Sequence, residues 1–152
     1  MKKALIITLI VILSVLILLP LALFGLPMVY NNVILLGVSD DLRDAIKSTE
    51  GLELIEFDSI CGNLNGNGNK MQFLAAALVK CSDEKLIKDC LKKAGYPDRD
   101  YARLTGKAIN LRYLEHGKLD FDFTAYNYGD SVYVICISSQ PSYASVFDIR
   151  AH

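Results

Sequence analysis

MQFLAAALVKC, residues 71–81, is the stretch on which the fold turns. Its alternate positions Met71, Phe73, Ala75, Ala77 and Val79 are all apolar. So are Leu74, Ala76 and Leu78 between them. A strand with one wet face alternates apolar with polar residues, whereas a strand covered on both faces reads as a continuous apolar run. The alanine content also permits a helix, since periodicity alone does not separate a buried helix from a buried strand. The strand reading places this segment at the centre of a sheet, and the neighbouring segments are then read as its partners.

Upstream, LELIEFDSIC (residues 52–61) is rich in β-forming residues and reads as a second strand. Between the two lies CGNLNGNGNK, residues 61–70, with three glycines and four asparagines. A G-x-G-x-x-G phosphate cradle requires a third glycine at position 71, where Met71 stands, and should lead into a helix. A calcium loop would use Asn63, Asn65, Asn67 and Gly68, but carries no carboxylate and has Leu74 where the bidentate Glu belongs. Gly and Asn tolerate positive φ, so the segment reads as a long hairpin tip. Asn63, Asn65, Gly66, Asn67, Gly68 and Asn69 are its candidate binding residues.

Downstream, Asp83 and Glu84 precede Lys88, Lys92 and Lys93, the charge order favoured by a helix macrodipole. Leu86, Ile87, Cys90, Leu91 and Ala94 form one apolar stripe, and Gly95 and Pro97 stop the helix. The polar segment 98–106 carries no clear pattern. Beyond it a meander is expected. A loop at Glu115-His116-Gly117 sets Leu111 opposite Phe121 and Ile109 opposite Phe123. A turn at Tyr128-Gly129 sets Phe121 opposite Cys136, Phe123 opposite Val134 and Ala125 opposite Val132. Both turns put the same residues on one buried face. The tail with Val146, Phe147 and Ile149 reads as an edge strand or a short helix.

On the N-terminal side, Ser39 reads as the cap of a short helix with Asp40 and Asp41 in its first turn, one modest apolar face at Leu42, Ala45 and Ile46, and Gly51 as its stop. Ala4 to Phe24 is an apolar run interrupted only by Thr8 and Ser14; as a helix it measures roughly 31 Å, the thickness of a bilayer core. Tyr30 suits the outer interface. A cleaved signal would have a shorter core and a small-x-small exit, so a retained anchor is favoured over a signal. Lys2 and Lys3 would stay in the cytoplasm, placing the C-terminal domain outside. The Met-Lys-Lys start has a bacterial look, which bears on no activity.

The expected organisation is therefore a transmembrane signal-anchor helix (1–30), a connector with a short helix (31–51) and an exported α+β domain (52–152). That domain is expected to be two-layered, with about five mostly antiparallel strands in the order α-ββ-α-βββ and helices on one face. Setting Lys2 and Lys3 aside leaves 14 basic against 17 acidic residues, net −3, with no basic stripe, so nucleic acid is a poor partner. The expected partners are the bilayer, through residues 4–24, and a protein or cell-envelope component.

Cys61, Cys81, Cys90 and Cys136 include no C-x-x-C pair, and His116 and His152 are isolated, so no metal or other cofactor is expected. Cys61 and Cys81 fall at opposite ends of the 52–81 hairpin, out of bridging range; mostly reduced thiols are expected, with Cys90–Cys136 the best placed to pair. Cys61 with His116 as base is the one candidate nucleophile pair, for an exported cysteine hydrolase acting on envelope material. Cys61 ends a strand rather than starting a helix, which weakens it as a thiolate site. Asp120 and Asp122 share a face with Arg112 and Asn110 across from them, explained by cross-strand pairing without catalysis. A non-catalytic binding domain is the reading favoured over the hydrolase.

Overall fold

The computed structural model describes residues 2–64, 71–99, 101–103, 119, 121, 131–139 and 147–151. Its first feature is a single long helix. Helix α1 (Lys2–Pro20) passes through one π-helical turn, Leu21–Gly25, into helix α2 (Leu26–Lys47) without leaving helical dihedrals. Pro20 lacks an N–H and its ring crowds the carbonyl one turn back, and the widened turn begins at the next residue. Over 45 residues, Lys3–Lys47, the rod is about 68 Å long.

The short helix expected to start at Ser39 is thus the last fifth of this rod. Ser39 does not cap it; its Oγ donates back to the Leu35 carbonyl at 2.7 Å, as a serine inside a helix does. The helix ends at Lys47, and Gly51 takes the left-handed conformation (φ +87°) in the turn that follows. Lys93 reaches across from α3 (Glu84–Lys93) and donates to the Ser48 carbonyl at 2.8 Å and Thr49 Oγ1 at 3.2 Å. A cation there complements the negative end of α2.

Strands β1 (Glu53–Gly62) and β2 (Gln72–Lys80) form the expected antiparallel hairpin, with Cys61 opposite Phe73 and one irregularity between Leu54 and Glu56. The strand reading of the alanine-rich run is correct. Every residue of β2 except Lys80 is buried. Strand β4 (Val132–Ser139) pairs antiparallel with the other edge of β2, and the three-residue β3 (Tyr101–Arg103) pairs with β4, giving the order β1-β2-β4-β3. In place of about five strands, the described residues hold three long strands and this short one. β3 arises in the polar segment where no pattern was legible, and the expected strands at 109–113 and 121–125 lie outside the described residues apart from Phe121.

α2 and α3 lie on one face of the sheet. Val38, Leu42, Ala45 and Ile46 from α2 and Ile87, Cys90, Leu91 and Ala94 from α3 pack with Ala75, Ala77, Val79, Tyr133, Ile135 and Ile137. Asp83 caps α3 through Oδ1, which accepts from the Lys85 N–H at 2.9 Å. The opposite face buries Leu74, Ala76, Leu78, Val132, Val134 and Cys136 against Leu64, Leu119 and Phe121. Phe121 packs on the face that holds Cys136, but the strand pairing expected of the meander is corrected: β2 and β3 take the two edges of β4, with Val134 opposite Leu78 and Ala102 instead of Phe123. The tail forms neither an edge strand nor an α-helix among its described residues, but a 3₁₀ turn, Ile149–Ala151.

Candidate functional site

The densest polar arrangement lies where α2 leaves its apolar stretch. Asn31 and Asn32 interrupt an otherwise apolar helix there, and the end of β1 and the C-terminal turn converge on them. Asp148 is fully buried. Its carboxylate accepts from Asn31 Nδ2 at 2.8 Å, from the Arg150 N–H at 3.0 Å, and from Arg150 Nε and Nη2 at 2.9 and 2.7 Å. Arg150 spreads its remaining donors to Asn32 Oδ1 at 2.8 Å and the Met28 carbonyl at 3.3 Å. Its own carbonyl accepts from the Asn63 N–H at 2.8 Å. Gly62 permits this approach, since a Cβ there would lie 3.3 Å from that carbonyl.

Burial pushes the Asp148 carboxyl up, but the hydrogen bonds from Arg150 and Asn31 outweigh it and hold the group below its usual range. The carboxylate is ionised at neutral pH and serves as the pin of a clasp between the C-terminal turn and the helix. Among the described residues no donor reaches the buried Asn31 Oδ1, and the same holds for Gln72 Oε1 on β2. Nothing in the composition announced this clasp. Its one legible trace was the Asn31-Asn32 pair inside an apolar run.

Cys61 belongs to the same junction. Its thiol donates to Asn32 Oδ1 at 3.6 Å. Burial raises its pKa, the positive charge of Arg150 opposes that, and Asp148 adds to it. The net direction is away from the thiolate that a nucleophile needs. The proposed base, His116, lies outside the described residues, as do Asp120 and Asp122. Of the candidate binding loop, Asn63 is tied by its N–H to Arg150, and Asn65, Gly66, Asn67, Gly68 and Asn69 lie outside the described residues.

The four cysteines are buried and none is in a disulfide. The idea that Cys90 and Cys136 might approach each other is corrected by the sheet between them, for Cys90 packs with the helices on one face and Cys136 lies on the other. Burial drives the Cys90 thiol up to about 11 despite a hydrogen bond with Thr49 and the nearby Lys93. At the far end of β1 and β2 from the clasp, an open depression of about 560 Å³ is lined by Gly51, Glu53, Lys80, Cys81 and Ser82. The Cys81 thiol there donates to the Asp83 carbonyl at 3.5 Å, and burial raises its pKa as well. Among the described residues no group of three or more His, Cys, Asp or Glu side chains is placed to hold a metal ion.

The anchor residues named from sequence, Ala4, Phe24 and Tyr30, are all exposed on the helix. From Leu5 to Leu26 nearly every large apolar side chain of α1 and the π turn is bare. The chain thus has one apolar N-terminal helix long enough to cross a membrane, compatible with an anchor or a signal. Comparison with family models, curated proteins and solved structures finds no match to this chain.

Proposed function

We propose that the chain is a single-pass membrane protein whose lipid-embedded helix carries a small non-catalytic binding domain outside the cytoplasm. The observation that carries this reading is the continuity of α1 and α2. One end of the rod leaves its apolar side chains bare, while the other end supplies Val38, Leu42, Ala45 and Ile46 to the core. More than twenty bare apolar residues in water are untenable, and in a bilayer they are at home. Lys2 and Lys3 favour a cytoplasmic N-terminus.

Retention is supported over cleavage, because the stretch just past the apolar run is helical and is gripped by the clasp through Met28, Asn31 and Asn32. A signal peptidase acts on a small-x-small exit, and LFGLPMV is no such segment. Binding in place of catalysis is supported by the raised pKa of Cys61 and by the clasp, whose charged groups are spent on one another. The partner expected is a protein or envelope component.

Two measurements test this. The full chain should stay with membranes through a carbonate wash, and a C-terminal tag should be reached by antibody on cells whose outer layers are permeabilised but whose inner membrane is intact. Release by carbonate, or a protected tag, refutes the location. Retained capture of envelope partners by Cys61→Ser supports binding, whereas loss of a hydrolytic activity in that variant would establish the exported hydrolase.

A further inference from the structure

Resting on the membrane-anchor reading, we propose that a second copy of this chain covers the outward face of α2, the two helices pairing in parallel through Leu26, Val29, Val33 and Leu36. These four side chains keep 66%, 61%, 61% and 60% of their surface exposed. Their spacing of three, four and three residues brings them onto one side of a helix. The domain occupies the other side, where Ile34 and Leu35 pack towards Cys61, Met71 and Phe73, and Val38 and Leu42 enter the main core. The exposed stripe is therefore apolar, continuous and left uncovered by the described residues.

Lipid does not reach its upper half. With Ala4 to Phe24 filling the hydrocarbon, a helix at the usual tilt of about 20° holds Val33 and Leu36 roughly 13–17 Å beyond the core edge. Something other than acyl chains must cover them. The stripe carries the positions of a parallel coiled coil: Leu26 and Val33 at a, Val29 and Leu36 at d, the β-branched Val33 and the Leu36 being the choices that favour two strands. Anchoring supplies the rest of the geometry. Two copies inserted with the same topology stand parallel and at equal height, so each residue meets its own counterpart about a two-fold axis normal to the membrane.

The area sets the strength. The four residues expose on the order of 400 Å² a copy, about half the ~800 Å² per partner of a stable soluble interface. Pairing would be weak in free solution and is sustained by confinement to one bilayer, which holds the helices parallel and close. The next a position is Asp40, exposed on the same side. Like charges meeting there end the contact, so it spans residues 26–36 and leaves the two domains splayed outward.

Cysteine cross-linking of the full chain in native membranes tests this. Val29→Cys, Val33→Cys and Leu36→Cys are made singly, with Asp41→Cys and Lys85→Cys as exposed controls off the stripe. The unsubstituted chain, with its four buried thiols, sets the background. Mild oxidation should give disulfide-linked dimers at positions 29, 33 and 36 at least fivefold above both controls. Adding Val33→Asp to Leu36→Cys should cut the yield about tenfold. The same membranes are washed with carbonate. Release of the protein sinks the anchor reading and this inference together. Retained protein that cross-links no better at 29, 33 and 36 than at 41 and 85 overturns the pairing alone, and leaves the stripe to lipid headgroups or a foreign chain.

Discussion

Removing Arg150 should cost more than removing Asp148, although the two form one ion pair at 2.7 Å. The asymmetry follows from burial. The Asp148 side chain is wholly buried, while that of Arg150 is 28% exposed. Arg150→Met leaves a buried carboxylate without its Arg150 counter-charge; breaking a buried pair in this way typically costs 3–5 kcal/mol. The Asn31 amide and one backbone N–H still donate to it, so the low end, about 3 kcal/mol, is expected. Asp148→Ala leaves a guanidinium that water can reach and that still donates to Asn32 and Met28. What remains is a stranded buried donor on Asn31, a part-buried Arg150 N–H without its acceptor, and a small void, about 1–2 kcal/mol.

For a domain of this size each kcal/mol moves the melting temperature by roughly 4–8 °C. The full-length protein in detergent, followed by the near-ultraviolet signal of its tyrosines, should therefore melt some 12–24 °C lower with Arg150→Met and roughly 4–16 °C lower with Asp148→Ala. The double variant should lose less than the sum of the two, because the pair is coupled. The pH dependence separates the cases further. In the wild type the folded carboxyl titrates below its unfolded value of about 3.9, so the clasp's contribution is complete above that value and fades as pH falls through the lowered one. In Arg150→Met only Asn31 and the backbone N–H still oppose burial, so the folded carboxyl titrates higher than in the wild type. The variant then loses less than the wild type on acidification, and the deficit should shrink as pH falls through the carboxyl range. Equal losses for the two single variants, or a deficit that widens on acidification, would refute the account of the clasp as a buried charge held by its partner.

Three further outcomes follow from the same packing. Leu42→Ala removes a fully buried side chain where the long N-terminal helix enters the core and should destabilise the domain by about 3 kcal/mol, read by thermal or urea unfolding. Gly51→Ala places a Cβ at φ +87° and 3.0 Å from Leu86 Cδ1, and should cost roughly 1–2 kcal/mol, mostly from the backbone since the leucine tip can give way. With its thiol at about 11, Cys90 is only ~0.1% thiolate at pH 8, so alkylation by iodoacetamide, followed by peptide mass, should run at least about 200-fold slower in the folded protein than in the denatured one. A rate within tenfold of the denatured chain would mean that the site opens readily.

What could be read from the residues was whatever local periodicity controls. The apolar run of β2 gave itself away by having no wet face, and the structure buries it all but Lys80. Helix α3 carried its stripe and its charge order between Asp83 and Ala94, while its cap, Asp83, was legible only as part of that charge order. Ser39 misled because a serine followed by two aspartates is equally a cap motif and a stretch inside a helix already under way, where the buried serine bonds back to the Leu35 carbonyl and the aspartates face out; only the packing of Val38 and Leu42 decides between them. The clasp was illegible for a different reason. Asp148 and Asn31 are 117 residues apart, and no spacing rule links a tail to a helix that far upstream. Tyr101–Arg103 forms a strand because β4 offers it an edge, in a segment whose own residues express no preference.

The continuity of the rod has a consequence for how the domain could serve a partner. A domain on a flexible tether samples all orientations above the bilayer and must lose that freedom when it binds. Here the same helix that is bare at one end is packed at Leu42 and Ile46 at the other, and the tail is pinned to it through Asp148. The sheet cannot swing without unpacking the core or breaking the clasp. Its orientation relative to the helix axis is set on folding, and on the proposed reading a partner would meet a surface already aimed. Inserting three glycines after Lys47 would leave α2 in place only through side-chain packing; inserting them after Gly25 would keep the core and clasp whole while freeing the domain from the span. If orientation matters to binding, the second insertion should weaken capture of the partner from membranes with no change in the domain's melting temperature. Unchanged capture would show that the rigid coupling serves stability and not presentation.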